Sequence, residues 1–405
     1  MNAIAPAAFT IDAAPVTGSF RVDALRGEQN ARVQSQWFER PADQRFLSLD
    51  SLYAFTRSAA DASKPATVET ARITVQATRD DAESLFLALP DGSTAAPSHW
   101  SFGQLAQIVG APAGYLRDLP AAIAGINLQY GLATHRSELV KTYTRMDGST
   151  ELRAITGPDY GRIHDWEVVK AVQRIAGNGL GETRWKVPGM LEGMTRYNPF
   201  VDVTKETTTL FASDRDVFIF LVDDTHPIEI GKLPDGSPDL VFRGFYVWNS
   251  EVGSKSAGIA TFYLRGVCQN RMMWGVEGFK EITLRHTKHA PSRFLQQAMP
   301  TLRAFADADT RALTSGVQEA KAAIVAKDDE ERTDFLTKRA GLTKSAAARV
   351  IEAVTQEEGK APESVWEFVQ GMTAVARRSE HQDTRITLER GAGKLLDGVT
   401  GKRRR

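Results

Sequence analysis

The chain has 405 residues, 42% of them hydrophobic and 25% charged, with 50 lysines plus arginines against 50 aspartates plus glutamates. That length exceeds what one core usually organises, and a net charge of zero excludes global attraction to nucleic acid, so any binding face has to be local. A single cysteine excludes an intrachain disulfide framework and a multi-cysteine zinc site, and no apolar run approaches the ~18 residues of a membrane span.

The opening MNAIAPAAFTIDAAPVTG has no basic stretch before an apolar core. A flexible Ala/Pro-rich leader on a cytoplasmic protein with no membrane partner is expected. In RFLSLDSLYAFTRSAA, Leu47, Leu49, Leu52 and Phe55 fall near one helical face, with Ser51 as the expected cap. ARITVQATRD and SLFLALP read as strands. In WSFGQLAQIVGAPAGYLRDLPAAIAG, Leu105, Ile108 and Val109 fit a helix ended by Gly110, and Pro112 and Pro120 open two more.

From Glu138 the period changes to two. ELVKTYTRM and ELRAITG flank DGS, a hairpin signal. HDWEVVKAVQRIAGNG is an amphipathic helix with Asp165 as the expected cap and Gly177 and Gly179 as stops. Six strands then follow: RWKVPGM, TTTLFAS, DVFIFLVDD, LVFRGFYVWNS, GIATFYLRGVC and KEITLRHT. From Pro291 the pattern is helical to Leu396, and GKRRR closes the chain. The expected fold is α+β, an antiparallel sheet with packed helices followed by a helical C-terminal region. The expected division is a leader and N-terminal helical segment (1–64), an α+β core (65–290) and a helical region with a basic tail (291–405).

Nucleotide motifs fail on their context. GNGLGE follows a helix instead of a strand, and GAGKLL lacks the upstream glycine and the Ser/Thr of a phosphate loop. No cofactor and no catalytic set are assigned. Asp214, Asp216, Asp223, Asp224 and His226 punctuate the two ends of one apolar strand, ~20 Å apart, so one ion cannot use both ends. No metal site is assigned. The Asp223/Asp224/His226 end supports only an alternative, a metal-dependent enzyme acting on nucleic acid. His286 and His289 read as a solvated loop. Two helix-glycine-helix segments, QLAQIVGAPAGYLRDL and FLTKRAGLTKSAAARVIEAV, read as structural hairpins before they read as duplex readers.

In GIATFYLRGVC, alternation puts Ala260, Phe262, Leu264, Gly266 and Cys268 on one face and Ile259, Thr261, Tyr263, Arg265 and Val267 on the other. Cys268 shares the small apolar face and reads as a buried hydrophobe, not a nucleophile. The Tyr263/Arg265 face, joined by Thr283 and Arg285, is expected to be an aromatic flanked by arginines, a surface suited to single-stranded nucleic acid. Between Val241 and Arg293 eight lysines and arginines stand against three acids. The expected nucleic-acid contacts are Arg243, Lys255, Tyr263, Arg265, Arg271, Arg285 and Lys288, with Trp248 and Trp274 as candidate stacking residues.

Three phrases together, LRAITGPDYGRIHDWEVV, NSEVGSKSAGIATFYLRGVCQNRMMWG and ITLRHT, resemble the phage- and plasmid-associated family carrying the domain of unknown function nine-three-two; SVWEFVQGMTAVAR resembles its helical end. The resemblance covers about Phe102 to Leu396. Arg271 departs from it, standing where the family has a small residue. The resemblance implies a mobile-element setting, and by context a relation to phage single-strand-annealing proteins, which bind single-stranded DNA without a nucleotide, often as rings. The resulting expectation is cofactor-free single-stranded DNA binding or annealing by a homo-oligomer. A protein-interaction module acting on a host or replication factor is the second reading.

Overall fold

A computed structural model describes residues 40–77, 85–134, 139–147, 149–181, 183–188, 202–233, 235–266, 271–272, 281–379 and 382–399. Cys268, Trp274 and the tail GKRRR lie outside these. The architecture is α+β, as expected, but the strands divide between two sheets.

The first helix, α1 (Leu49–Asp61), buries Leu49 and Leu52 and leaves Phe55 40% exposed. Its cap is Ser48, not Ser51. Ser48 Oγ accepts from the Ser51 amide, and Ser51 Oγ faces back to the Ser48 amide, a reciprocal capping box.

The smaller sheet runs β2 (Ser63–Glu69), β6 (Leu139–Asp147), β7 (Ser149–Thr156), β5 (Thr94–Pro97), β4 (Leu85–Ala88) and β3 (Thr74–Ala77). All neighbours are antiparallel except the parallel pair of β5 and β7. Its two edge strands are consecutive in the chain, joined only through a 3-10 turn at Thr70–Arg72. Five flat strand spacings cover ~24 Å, but the five residues from Glu69 to Thr74 reach only ~17 Å. The sheet therefore curls. Inside the curl Val75, Leu87, Val140 and Leu152 meet Phe102 and Leu105 of α2 (His99–Ile108) and Leu128 of α4 (Ala121–Thr134). Between those helices lies α3 (Ala113–Arg117), only five residues and too short to read a groove.

The larger sheet runs β1 (Arg45–Phe46), β8 (Leu210–Ala212), β9 (Val217–Lys232), β10 (Pro238–Asn249), β11 (Ala257–Arg265) and β12 (Arg271–Met272), with β13 (Glu281–Leu284) also on β11. The described part of RWKVPGM, residues 184–188, forms no strand; it touches the sheet through one bridge, Lys186 to Val222. The alternation along β11 is as read, but neither face is wet. Every residue of β11 is buried. On one side Phe218, Phe220, Tyr246 and Phe262 form an aromatic cluster, with the Phe262 and Tyr246 rings 4.4 Å apart. Glu389 of α11 (Gln382–Val399) accepts the Tyr246 hydroxyl at 3.0 Å there. On the other side Val217, Ile219, Leu221, Phe245, Ile259 and Tyr263 pack with helices from both ends of the chain.

The cluster on that side takes in α1, α5 (Asp165–Ala176), α6 (Ala290–Ala306), α7 (Arg311–Ala322), α8 (Asp329–Ala340), α9 (Lys344–Glu358), α10 (Val365–Arg377) and α11, which thus borders both clusters. One hydrophobic cluster runs from Phe46 to Leu396 and crosses both of the expected boundaries, near 64 and near 290. The α8–α9 pair closes through Gly341 in the left-handed region, and Lys344 and Arg349 of α9 are exposed. The cap of α5 is His164, with Asp165 as its first helical residue.

Gly244 of β10 lies under the Phe262 ring, and a Cβ there would strike it. The neighbouring aromatics Phe220 and Tyr246 are fully buried, so the ring has nowhere to go. Gly244→Ala should lower stability by about 1–3 kcal/mol, the usual cost of overpacking. An unchanged midpoint in urea denaturation would show that this face is not packed as described.

Candidate functional site

The expected binding face is the buried face. Tyr263 is fully buried, edge-on to Phe305 of α6 at 5.6 Å. Arg265, 8% exposed, makes two parallel bonds to Asp239 at 2.8 and 2.9 Å and a third to Gln370 of α10 at 3.1 Å. Arg243, 4% exposed, donates to the Ala308 carbonyl at 2.6 Å, just past the C-terminus of α6. Its neighbour Arg184 donates to the Ala306 carbonyl and to Asp223, so two guanidiniums sit where the helix dipole favours cations. These three residues hold helices onto the sheet; as contacts to nucleic acid they are corrected. Alternation assigns residues to faces but is silent on what covers a face, and the cover comes from helices further along the chain.

Register corrects a second point. Gly258 pairs with Thr283 and Ile259 with Ile282, so Ile282 and Leu284 share the Tyr263 face. Arg285 falls on the opposite parity and is exposed. Arg271 pairs with Leu264 along the backbone. Trp248 is half-buried and lies against Gly258.

The acidic ends of β9 are matched by cations. Asp216 makes two bonds to Arg40, at 2.7 and 2.8 Å. Asp223 meets Arg184 at 2.7 Å and His226 at 3.0 Å, and Asp224 meets Lys186 at 2.9 Å. Among the described residues no three His, Cys, Asp or Glu groups converge as a metal site would need.

What the structure does bring together is the three phrases that carried the family resemblance. The turn Asn249–Ser254, between β10 and β11, inserts Glu251 between the two sheets. Glu251 is 1% exposed and meets Arg153 of β7 at 2.7 Å. Its other carboxylate oxygen faces the Asp165 amide at the start of α5 (3.3 Å) and His164 (3.4 Å). Asn249 donates to the Ile163 carbonyl at 2.8 Å and to Asp165 at 2.7 Å. From α2, Trp100 and Gln104 both donate to the Val252 carbonyl, at 3.0 and 2.8 Å. Gly253 turns the chain at a φ of 87°, a value that favours glycine. Arg162 lies over the Tyr143 ring at 4.1 Å, and Tyr160 stacks on His286 at 5.0 Å. The His286 ring lies between the Gly161 and Lys255 carbonyls, at 3.2 and 3.1 Å.

Charge within this joint is set by burial and pairing. Burial opposes ionisation of Glu251, but Arg153 and then His164 outweigh it and hold the carboxyl at about 2. Burial first, and then the Glu251 charge, push Asp165 well above the ordinary aspartate range, the opposite direction to Glu251. Burial likewise lowers His286 and keeps it neutral. With Glu251 and Asp165 both shut away from solvent, the joint positions the turn and the strands behind it.

The surface beside the joint is cationic. Lys255 follows the turn, is half-buried, and helps keep Asp216 ionised behind Arg40. Arg285 and Lys288 flank His286 and are exposed, as are Arg293 and Arg303 along α6. These four exposed cations form no ion pair with any described residue. From Ile282 to Ala306 the sequence has four Arg/Lys, two His and no Asp or Glu. That acid-free run is the signal by which Arg293 and Arg303, both absent from the expected contacts, are legible.

The fold is an α+β assembly of two sheets locked by a buried Arg–Glu joint, with a cationic edge where the larger sheet gives way to its helices. Residues 184–392, just over half of the chain, match the family described as Domain of unknown function (DUF932), and the chain belongs to that family. The matched range holds the turn and ITLRHT; the phrase containing Arg153 and Asp165 precedes it. No curated protein and no solved structure matches the chain.

The proton assignment has opposite consequences for two variants. Glu251→Gln leaves Arg153 buried without its counter-charge and should cost about 3–5 kcal/mol at pH 7. Asp165→Asn removes a carboxyl whose ionisation burial and Glu251 oppose, and should cost less than about 1 kcal/mol. The pH dependence follows the same signs. Because Glu251 is lowered, its share of stability is present above the ordinary glutamate range and is lost as pH falls through about 2. Because Asp165 is raised, its share is present at low pH and is lost as pH rises above the ordinary aspartate range, so Asp165→Asn should flatten that decline. Urea midpoints from about pH 2, where the Glu251 share is lost, up to about pH 8, well above the ordinary carboxylate range, measure both; equal losses in the two variants would overturn the assignment.

Proposed function

We propose that the protein binds single-stranded nucleic acid, without a cofactor, along the cationic strip of half-buried Lys255 and exposed Arg285, Lys288, Arg293 and Arg303, in the DNA metabolism of a phage or plasmid. The observation that carries this reading is the acid-free run from Ile282 to Ala306, whose four Arg/Lys are all exposed and unpaired among the described residues. The setting in mobile elements rests on the family resemblance alone.

Helix polarity supports the strip as a binding feature. The first turn of α6 contains no acid, and its N-cap, His289, makes no side-chain capping bond. Lys288 and Arg293 stand at that end, where the helix dipole makes cations unfavourable by about 0.3–1 kcal/mol each. Fold stability therefore does not account for them. Together they give a local positive potential that attracts phosphate. A neutral total charge is compatible with this, because screening limits each patch to about 8–10 Å.

Fluorescence anisotropy of a labelled single-stranded oligonucleotide tests the reading. With about five cations engaged, log affinity should fall with log salt with a slope of about −3.5, from about −0.7 per phosphate contact. The combined variant Arg285→Ala, Lys288→Ala, Arg293→Ala should reduce that slope by about 2 and weaken binding irrespective of base sequence. Binding that is undetectable at low salt, or unchanged in the triple variant, would sink the proposal.

A further inference from the structure

The smaller sheet carries an opening of its own. Between β2, β6 and the turn joining β4 to β5 lies a cavity of about 310 Å³, lined by strand and turn residues. It follows from the curl of the sheet, which brings β2 opposite that turn, and Lys64 of β2 closes across it to Asp91 at 2.9 Å. The volume lies at the lower end of small-molecule sites.

The lining has three parts. Val68 and Met146 supply apolar wall. Thr142 lines the cavity, is 1% exposed, and its Oγ1 has no hydrogen-bond partner among the described residues. An orphaned buried hydroxyl costs about 1–3 kcal/mol unless something else bonds it. The charged members do not cancel: the Asp91 carboxylate is already engaged by Lys64 and by the amide and hydroxyl of Ser93, whereas Arg72, exposed, forms no ion pair with any described residue. One cation is left over.

We propose that this cavity binds a small organic monoanion, with its compact apolar body against Val68 and Met146 and its single acidic group toward Arg72 and the Thr142 hydroxyl. The single surplus cation matches one charge, and the hydroxyl supplies the additional donor that a carboxylate accepts. The site is on the other sheet from the cationic strip and stands or falls independently of the nucleic-acid reading.

Methyl-resolved NMR of the full chain tests it with two probes of similar shape, indole-3-acetate and the neutral indole-3-ethanol. The Val68 and Met146 methyl signals should shift with the acetate, which should bind at least about tenfold more tightly than the alcohol, the worth of one hydrogen bond to a charged group. Arg72→Gln, a surface change that leaves the fold intact, should erase that difference. Thr142→Val should weaken the acetate severalfold while the remaining methyl spectrum is unchanged. Unmoved Val68 and Met146 signals, equal affinity for the two probes, or an Arg72→Gln variant that still prefers the acetate would each overturn the proposal.

Discussion

The ion pair between Arg153 and Glu251 is the contact on which the arrangement of the two sheets depends. Each partner is nearly inaccessible to water, so neither can lose the other without leaving a bare charge in the interior. The pair joins a strand of the smaller sheet to the turn that links two central strands of the larger one. Around it Asn249, Asp165 and His164 fasten the same turn to the start of α5. A hydrophobic contact between two sheets tolerates sliding. A buried pair with directional bonds does not, which gives the interface one register.

Much of the fold was legible in local patterns. The β9, β10 and β11 strands, the Asp147–Ser149 hairpin and the C-terminal helices all follow from period and punctuation. The parity of β11 was also correct, and both of its faces appear as distinct clusters. The exposure of those faces was not legible. Tyr263 and Arg265 look amphipathic in isolation, but Phe305, Trp366 and Gln370, some 40 to 105 residues downstream, supply both the ring contacts and the hydrogen-bond acceptor that make burial tolerable. An arginine in a strand is compatible with burial whenever a carboxylate such as Asp239 lies beside it, and sequence order does not reveal that partner.

The same limit applies to the candidate strip, with a different outcome. Lys288, Arg293 and Arg303 lie on a segment with no acid of its own, so no local counter-charge draws them inward. Arg285, just past β13, has the opposite parity from Arg265, and only Arg265 has a buried aspartate on the neighbouring strand. Caps were misplaced by small shifts, Ser48 for Ser51 and His164 for Asp165, because adjacent polar residues offer the helix equivalent oxygens and the choice follows from the backbone entering it.

The cluster that runs from Phe46 to Leu396 also constrains how the chain comes into being. A ribosome delivers α1 and the strands long before α10 and α11 emerge, so the face around Tyr263 and Ile259 is uncovered while the helices from α6 onward are made. Contacts between such distant parts of a sequence are slow to form. The nascent protein therefore passes through a stage in which a wide apolar sheet awaits its lid and needs shielding until α10 and α11 have emerged.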